Sequence, residues 1–137
     1  MYDQLSLDLG GFRERVASGA FDEVLATNPD VHFVWDHDTR YVLARTRKKT
    51  LALRSDTRGL HVDAQVAPTS YAGDLRIALE RGGIDQASFS FNVADGGDQW
   101  AVDDADRVMR TIRTVGALYD VTVTARGAYP QTTMGVK

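Results

Sequence analysis

The chain has 137 residues, enough to bury one real core but not two, and its 43% hydrophobic and 26% charged residues are ordinary globular composition. The net charge of -3 lacks the clustered cationic excess that a general nucleic-acid binder needs. Cysteine is absent, which excludes disulfides, thiolate metal sites and a cysteine nucleophile; the N-terminus, with Asp3 and Asp8 and no long apolar run, suits neither a signal peptide nor a membrane span. A soluble, intracellular protein is expected.

In chain order, residues 1–11 carry few structure signals and end in Gly10-Gly11, a flexible lead-in. Phe12 to Val16 suits a short strand. Phe21, Val24 and Leu25 then form one apolar stripe of a short helix that stops before Asn28-Pro29. Residues 31–35 alternate as a strand and run into three polar groups, Asp36-His37-Asp38. Tyr41 to Thr46 and Thr50 to Arg54 read as two strands paired through the basic tip Arg45-Thr46-Arg47-Lys48-Lys49. After a turn at Asp56-Thr57-Arg58-Gly59, Leu60, Val62, Ala64 and Val66 alternate with His61, Asp63 and Gln65, so a half-buried strand is expected with His61 on its polar face.

Pro68 ends that strand, and Thr69 or Ser70 can cap a helix carrying Tyr71, Ala72, Leu75, Ala78 and Leu79, which Gly82-Gly83 stops. In the strand that follows, Ala87, Phe89, Phe91 and Val93 point to a buried face, and Ser88, Ser90 and Asn92 to the opposite one. Ala94 to Asp106, rich in Gly and Asp with Trp100 as its anchor, reads as a long loop or hairpin. Val108 to Val115 and Leu118 to Ala125 are the last strands, and the tail is loose from about Gln131. Seven or more strands and one substantial helix predict a single mainly β domain over residues 1–137, with flanking helices (α+β), barrel or sandwich-like.

The polar residues that invite chemistry are His37, His61, Ser88 and Asp120. A serine hydroxyl is a poor nucleophile until an imidazole takes its proton, and the imidazole needs a third group to fix its tautomer. His37, Ser88 and Asp120 offer one residue for each role; the alternative is that these serines merely face solvent. Asp36, His37 and Asp38 as metal ligands form a rival reading, but adjacent strand residues point opposite ways and no second His-rich segment completes a shell. His32 reads as a functionally silent strand residue.

Several blocks in order resemble the tailed-phage prohead maturation proteases. They are Asp8-Leu9-Gly10-Gly11-Phe12-Arg13-Glu14-Arg15-Val16 with Gly19-Ala20-Phe21, Trp35-Asp36-His37-Asp38, Gly59-Leu60, Ser88-Phe89-Ser90-Phe91, Arg110-Thr111-Ile112, Leu118-Tyr119-Asp120-Val121-Thr122 and Ala128-Tyr129-Pro130-Gln131-Thr132. The resemblance spans roughly residues 8–133, and it is the ordered set that is specific. It implies an antiparallel β-barrel like that of the herpesvirus assemblins, and a serine endopeptidase that cleaves the scaffold or capsid protein inside an immature capsid in the host cytoplasm. By the same resemblance Ser88 is the nucleophile, His37 the general base and Asp120 the third member. His61, a spare neighbour or the counterpart of the second histidine that completes the triad in assemblins, is its rival, as are Asp36 and Asp38 beside His37.

No cofactor, metal, nucleic acid or membrane is implied; the implied partners are the scaffold or capsid substrate and a second copy of the chain, a dimer by family analogy. Arg126 and backbone N–H groups near Gly127 are oxyanion donors by analogy with assemblins. The chain departs from the pattern at Ser90, usually Gly, at Gly127, usually Pro, and at Ala44, usually Gly; the family's first strand is missing or shortened. An inactive structural or scaffold-binding module is the alternative function.

Overall fold

The computed structural model describes residues 1–136, and strand outweighs helix by 40% to 14%, so the mainly β expectation holds. In chain order the elements are β1 (Phe12–Val16), α1 (Asp22–Ala26), β2 (His32–Trp35), β3 (Asp38–Arg45), β4 (Leu51–Ser55), β5 (Leu60–Ala64), α2 (Ser70–Glu80), β6 (Gln86–Val93), β7 (Asp98–Val102), β8 (Val108–Ile112) and β9 (Val115–Thr124). Thr69 begins α2 by accepting the Ala72 N–H on its hydroxyl at 3.3 Å. At the far end Gly82 takes a φ of 73°, and the Gly82 and Gly83 N–H groups return to the carbonyls of Leu79 and Ala78. That left-handed step is open to glycine at little cost and turns the chain into β6.

The strands form three sheets, ordered β1-β8-β7, β3-β2-β9-β6 and β4-β5. The expected antiparallel barrel of assemblin type is not closed. Two pairings, β1 with β8 and β2 with β9, are parallel, which the long stretches of chain between their members allow. The basic tip does not pair β3 with β4 either: β3 pairs with β2, β4 with β5, and Thr46–Lys48 is a 3-10 turn between them. On the β4–β5 ribbon Leu60 and Ala64 are partly buried against the main core, whereas Val62 and, just beyond the ribbon, Val66 are exposed, so the alternating face is only half covered. Within the stretch read as a loop or hairpin, β7 pairs antiparallel with β8.

Central to the main core is β9, with Val115, Leu118 and Val121 packed against Phe21, Val31, Ile112 and Val16. Phe89 on β6 meets this core edge-on at Phe21, ring centroids 5.2 Å apart, as its alternation predicts. A smaller cluster under α2 joins Leu75, Ile84, Leu43 and Val123, with Met134 against it. One charge lies inside: Glu14 is 6% exposed and accepts from Tyr129 Oη at 2.8 Å and Arg110 Nη1 at 3.2 Å. Burial, and then the Glu14 carboxylate, push the Tyr129 phenol above its ordinary pKa, which keeps it a donor. Tyr129→Phe is therefore expected to cost about 1–3 kcal/mol, since one oxygen of a buried carboxylate loses its donor. Urea unfolding measures this, and an unchanged midpoint would contradict it.

Candidate active site

The site starts at the hairpin between β2 and β3. Trp35 and Asp38 are register partners, so Asp36 and His37 alone make the turn, with φ of 54° and 56°. Positive φ at both central residues is what a two-residue hairpin of type I′ demands, and aspartate tolerates it better than most side chains. From the second of these positions the His37 ring reaches the face of the sheet formed by β9 and β6. Its Nδ1 lies 2.8 Å from Asp120 Oδ1, with the imidazole 39% exposed and the carboxylate 15% exposed.

Antiparallel pairing of β6 with β9 sets Ser88 opposite Thr122 and Ser90 opposite Asp120. The register then steps from Ser90↔Asp120 to Phe91↔Leu118, leaving Tyr119 as an extra residue. That bulge lets Leu118 and Val121 both reach the core while Asp120 keeps its place at the site. Ser90 Oγ lies 3.1 Å from the same His37 Nδ1 that Asp120 holds. Ser88 is half-buried on the same face one pair further along, about 7 Å down the strand. Among the described residues its hydroxyl has no hydrogen-bond partner. His37 is nevertheless anchored across from it, because the His37 backbone N–H donates to Thr122 Oγ1 at 2.9 Å, and Thr122 is the register partner of Ser88.

Direct contacts thus join His37, Asp120 and Ser90, and Ser88 stands beside them without touching the ring. The Ser90 contact was missing from the sequence reading. Alternation identified the polar face of β6, but nothing in the sequence states which serine faces Asp120 across the pair.

The remaining polar residues have other partners. His61 on β5 has its Nε2 2.8 Å from Asp56 Oδ2, an ion-pair distance off the ring N–H direction, and it makes no contact with His37. The Asp56 carboxyl is held well below the usual carboxylate range, first by the Arg58 N–H and then by His61. Asp36 accepts the Thr124 hydroxyl at 2.7 Å and Asp38 is held by Arg40 at 2.7 Å. Among the described residues no three His, Asp or Glu side chains converge on a metal position. Gly127 donates its N–H to Gln86 Oε1 at 2.7 Å, and the Arg126 N–H points to Thr124 Oγ1 at 3.3 Å.

A hydroxyl, an imidazole and a carboxylate thus share one hydrogen-bonded group on a β-sheet, with Ser90 and Asp120 on the same ring nitrogen, whereas a serine-hydrolase triad sets hydroxyl and carboxylate on opposite nitrogens. The chain belongs to the caudovirus prohead serine protease family, whose model matches residues 1–137. This membership supports a role in phage capsid maturation. No curated protein and no solved structure matches the chain. Among the described residues no helix is long and apolar enough to cross a membrane.

Proposed function

We propose that the chain is a serine endopeptidase that cleaves the scaffold or capsid protein inside an immature phage capsid, with Ser88 as nucleophile, His37 as general base and Asp120 as the acid that orients it. One observation carries the reading, the 2.8 Å contact between Asp120 Oδ1 and His37 Nδ1. A carboxylate is the stronger acceptor on that nitrogen, so Nδ1 keeps its proton and Nε2 is left as the basic site. Ser88 Oγ then attacks the scissile carbonyl carbon and its proton passes to Nε2. As the C–N bond breaks, that proton goes to the leaving amine. Water, deprotonated by the same nitrogen, hydrolyses the acyl-enzyme and restores the serine.

The 3.1 Å contact of Ser90 with His37 favours a second reading, in which Ser90 is the nucleophile. The nitrogen it touches argues against this. A hydroxyl lying on Nδ1 competes with Asp120 for that position and cannot hand its proton to Nε2. The resemblance of Ser88-Phe89-Ser90-Phe91 to the family's serine strand supports Ser88 instead, and catalytic hydrogen bonds commonly tighten only when substrate binds. Preorganised oxyanion donors are worth about 3 kcal/mol each. The Gly127 N–H reaches that role by exchanging its bond to Gln86 for one to the substrate.

Co-expression with the scaffold and capsid proteins of the same phage, followed by intact-mass measurement, tests the function. Discrete truncated products are expected with the wild type and not with Ser88→Ala. Uncleaved partners that co-purify with a folded wild-type chain would instead support an inactive scaffold-binding module.

A further inference from the structure

The residue that fixes where His37 sits is on β9, not on its own hairpin. Both residues of the Asp36-His37 turn hold a backbone conformation that side chains rarely adopt, and it persists only when the surroundings over-determine it. Three bonds from β9 do so. The Asp36 N–H donates to the Val123 carbonyl at 2.9 Å, the His37 N–H donates to Thr122 Oγ1 at 2.9 Å, and the Thr124 hydroxyl donates to Asp36 Oδ1 at 2.7 Å.

From these bonds we infer that Thr122 is a positioning residue for the proposed reaction, acting through the His37 backbone; the inference rests on His37 being the base. Thr122 is 1% exposed, and its hydroxyl donates to the Val34 carbonyl at 3.0 Å, with the Val123 carbonyl a second acceptor at 3.3 Å, and accepts from the His37 N–H at 2.9 Å. Packing alone would be served as well by valine, which has the same shape. Only a hydroxyl both donates and accepts from one atom, and this one ties Val34 of β2 to His37 in the turn that follows the strand. Thr122 is also the register partner of Ser88, so the side chain that anchors His37 belongs to the strand pair that carries the proposed nucleophile.

Thr122→Val is expected to lower kcat roughly 100-fold with little change in KM, the scale of an ångström-level misplacement. Thr122→Ser, which restores the hydroxyl, should stay within a few-fold of wild type. Long-range 1H–15N spectra of the histidine rings give a readout that needs no turnover, with the His37 signals identified by their loss in His37→Gln. Wild type should show a proton on Nδ1 and a bare Nε2, and Thr122→Val should show the averaged pattern of an unheld imidazole. Thr122→Ala removes the same hydroxyl without a second methyl and carries the same expectation if the valine variant does not fold. Wild-type kcat together with an unchanged ring pattern in a hydroxyl-free variant, or a serine variant as impaired as the valine one, would overturn the inference. A wild type whose Nδ1 is bare would count against Asp120 as the orienting acid instead, so the two failures are told apart.

Discussion

Ser88→Ala and His37→Ala are each expected to reduce scaffold cleavage by about 10⁴-fold or more, while Ser90→Ala stays within about tenfold of wild type. Loss of the nucleophile or of the base removes the covalent route. What survives is whatever binding and oxyanion donors supply, a residual ~10³–10⁴-fold over water. Ser90 touches His37, but at the nitrogen that Asp120 already holds. Its removal leaves the carboxylate as sole partner of Nδ1, which is the arrangement the proposed base requires. Initial rates on one purified partner protein measure all three variants. A Ser90→Ala protein as inactive as His37→Ala, beside an active Ser88→Ala, would move the nucleophile to position 90.

Asp120→Asn should fold as the wild type does and lose about 10⁴-fold in kcat. Asparagine keeps the size, but its amide can donate to Nδ1 and so stabilise the tautomer with the proton on Nε2, where it blocks the base. The charge that stabilises the imidazolium during attack is lost as well. His61→Ala serves as the control: its ring is paired with Asp56 on the β4–β5 ribbon and makes no contact with His37. Near-normal activity is therefore expected of it. A folded Asp120→Asn with near-wild-type kcat, alongside an inactive His61→Ala, would transfer the orienting role to His61.

Local features of this fold were readable in the sequence because local physics decides them. The alternation announced the core-facing side of β6, where Phe89, Phe91 and Val93 pack partly buried against the main core, and Thr69 with Gly82-Gly83 bounded α2. Partner choice was not readable. Tyr41 to Thr46 looked joined to Thr50 to Arg54 through the basic tip, yet β3 satisfies its ladder on β2, its immediate predecessor across the Asp36-His37 turn. The parallel alignment of β2 with β9 brings together residues some ninety positions apart, a closure no short-range signal encodes. Alternation marked the face of β5 that meets the core at Leu60 and Ala64, but not that Val62 and Val66 on the same set would stay exposed.

The site shows the same division. His37, His61, Ser88 and Asp120 each stood out as a polar group on or beside a strand, and Ser90 only as part of the polar face of β6. Their mutual placement depends on the β6–β9 register and on the bulge at Tyr119. A slip of two residues along that ladder, which keeps every side chain on its own face, would set Ser88 instead of Ser90 opposite Asp120, so alternation alone leaves the choice between the serines open. Thr122 was legible only as a polar residue in a β-strand, because the atoms it satisfies belong to β2 and its turn.

The most direct measurement is which serine a fluorophosphonate captures. Such a reagent forms a phosphorus–oxygen bond to an activated hydroxyl and expels fluoride, so it reports the nucleophile without any knowledge of the substrate. Incubation of the folded chain followed by peptide mapping should place one adduct on Ser88, with none in Ser88→Ala and labelling slowed by orders of magnitude in His37→Ala. An adduct on Ser90, or labelling of Ser88 at the same rate in His37→Ala, would contradict a Ser88 nucleophile activated by His37.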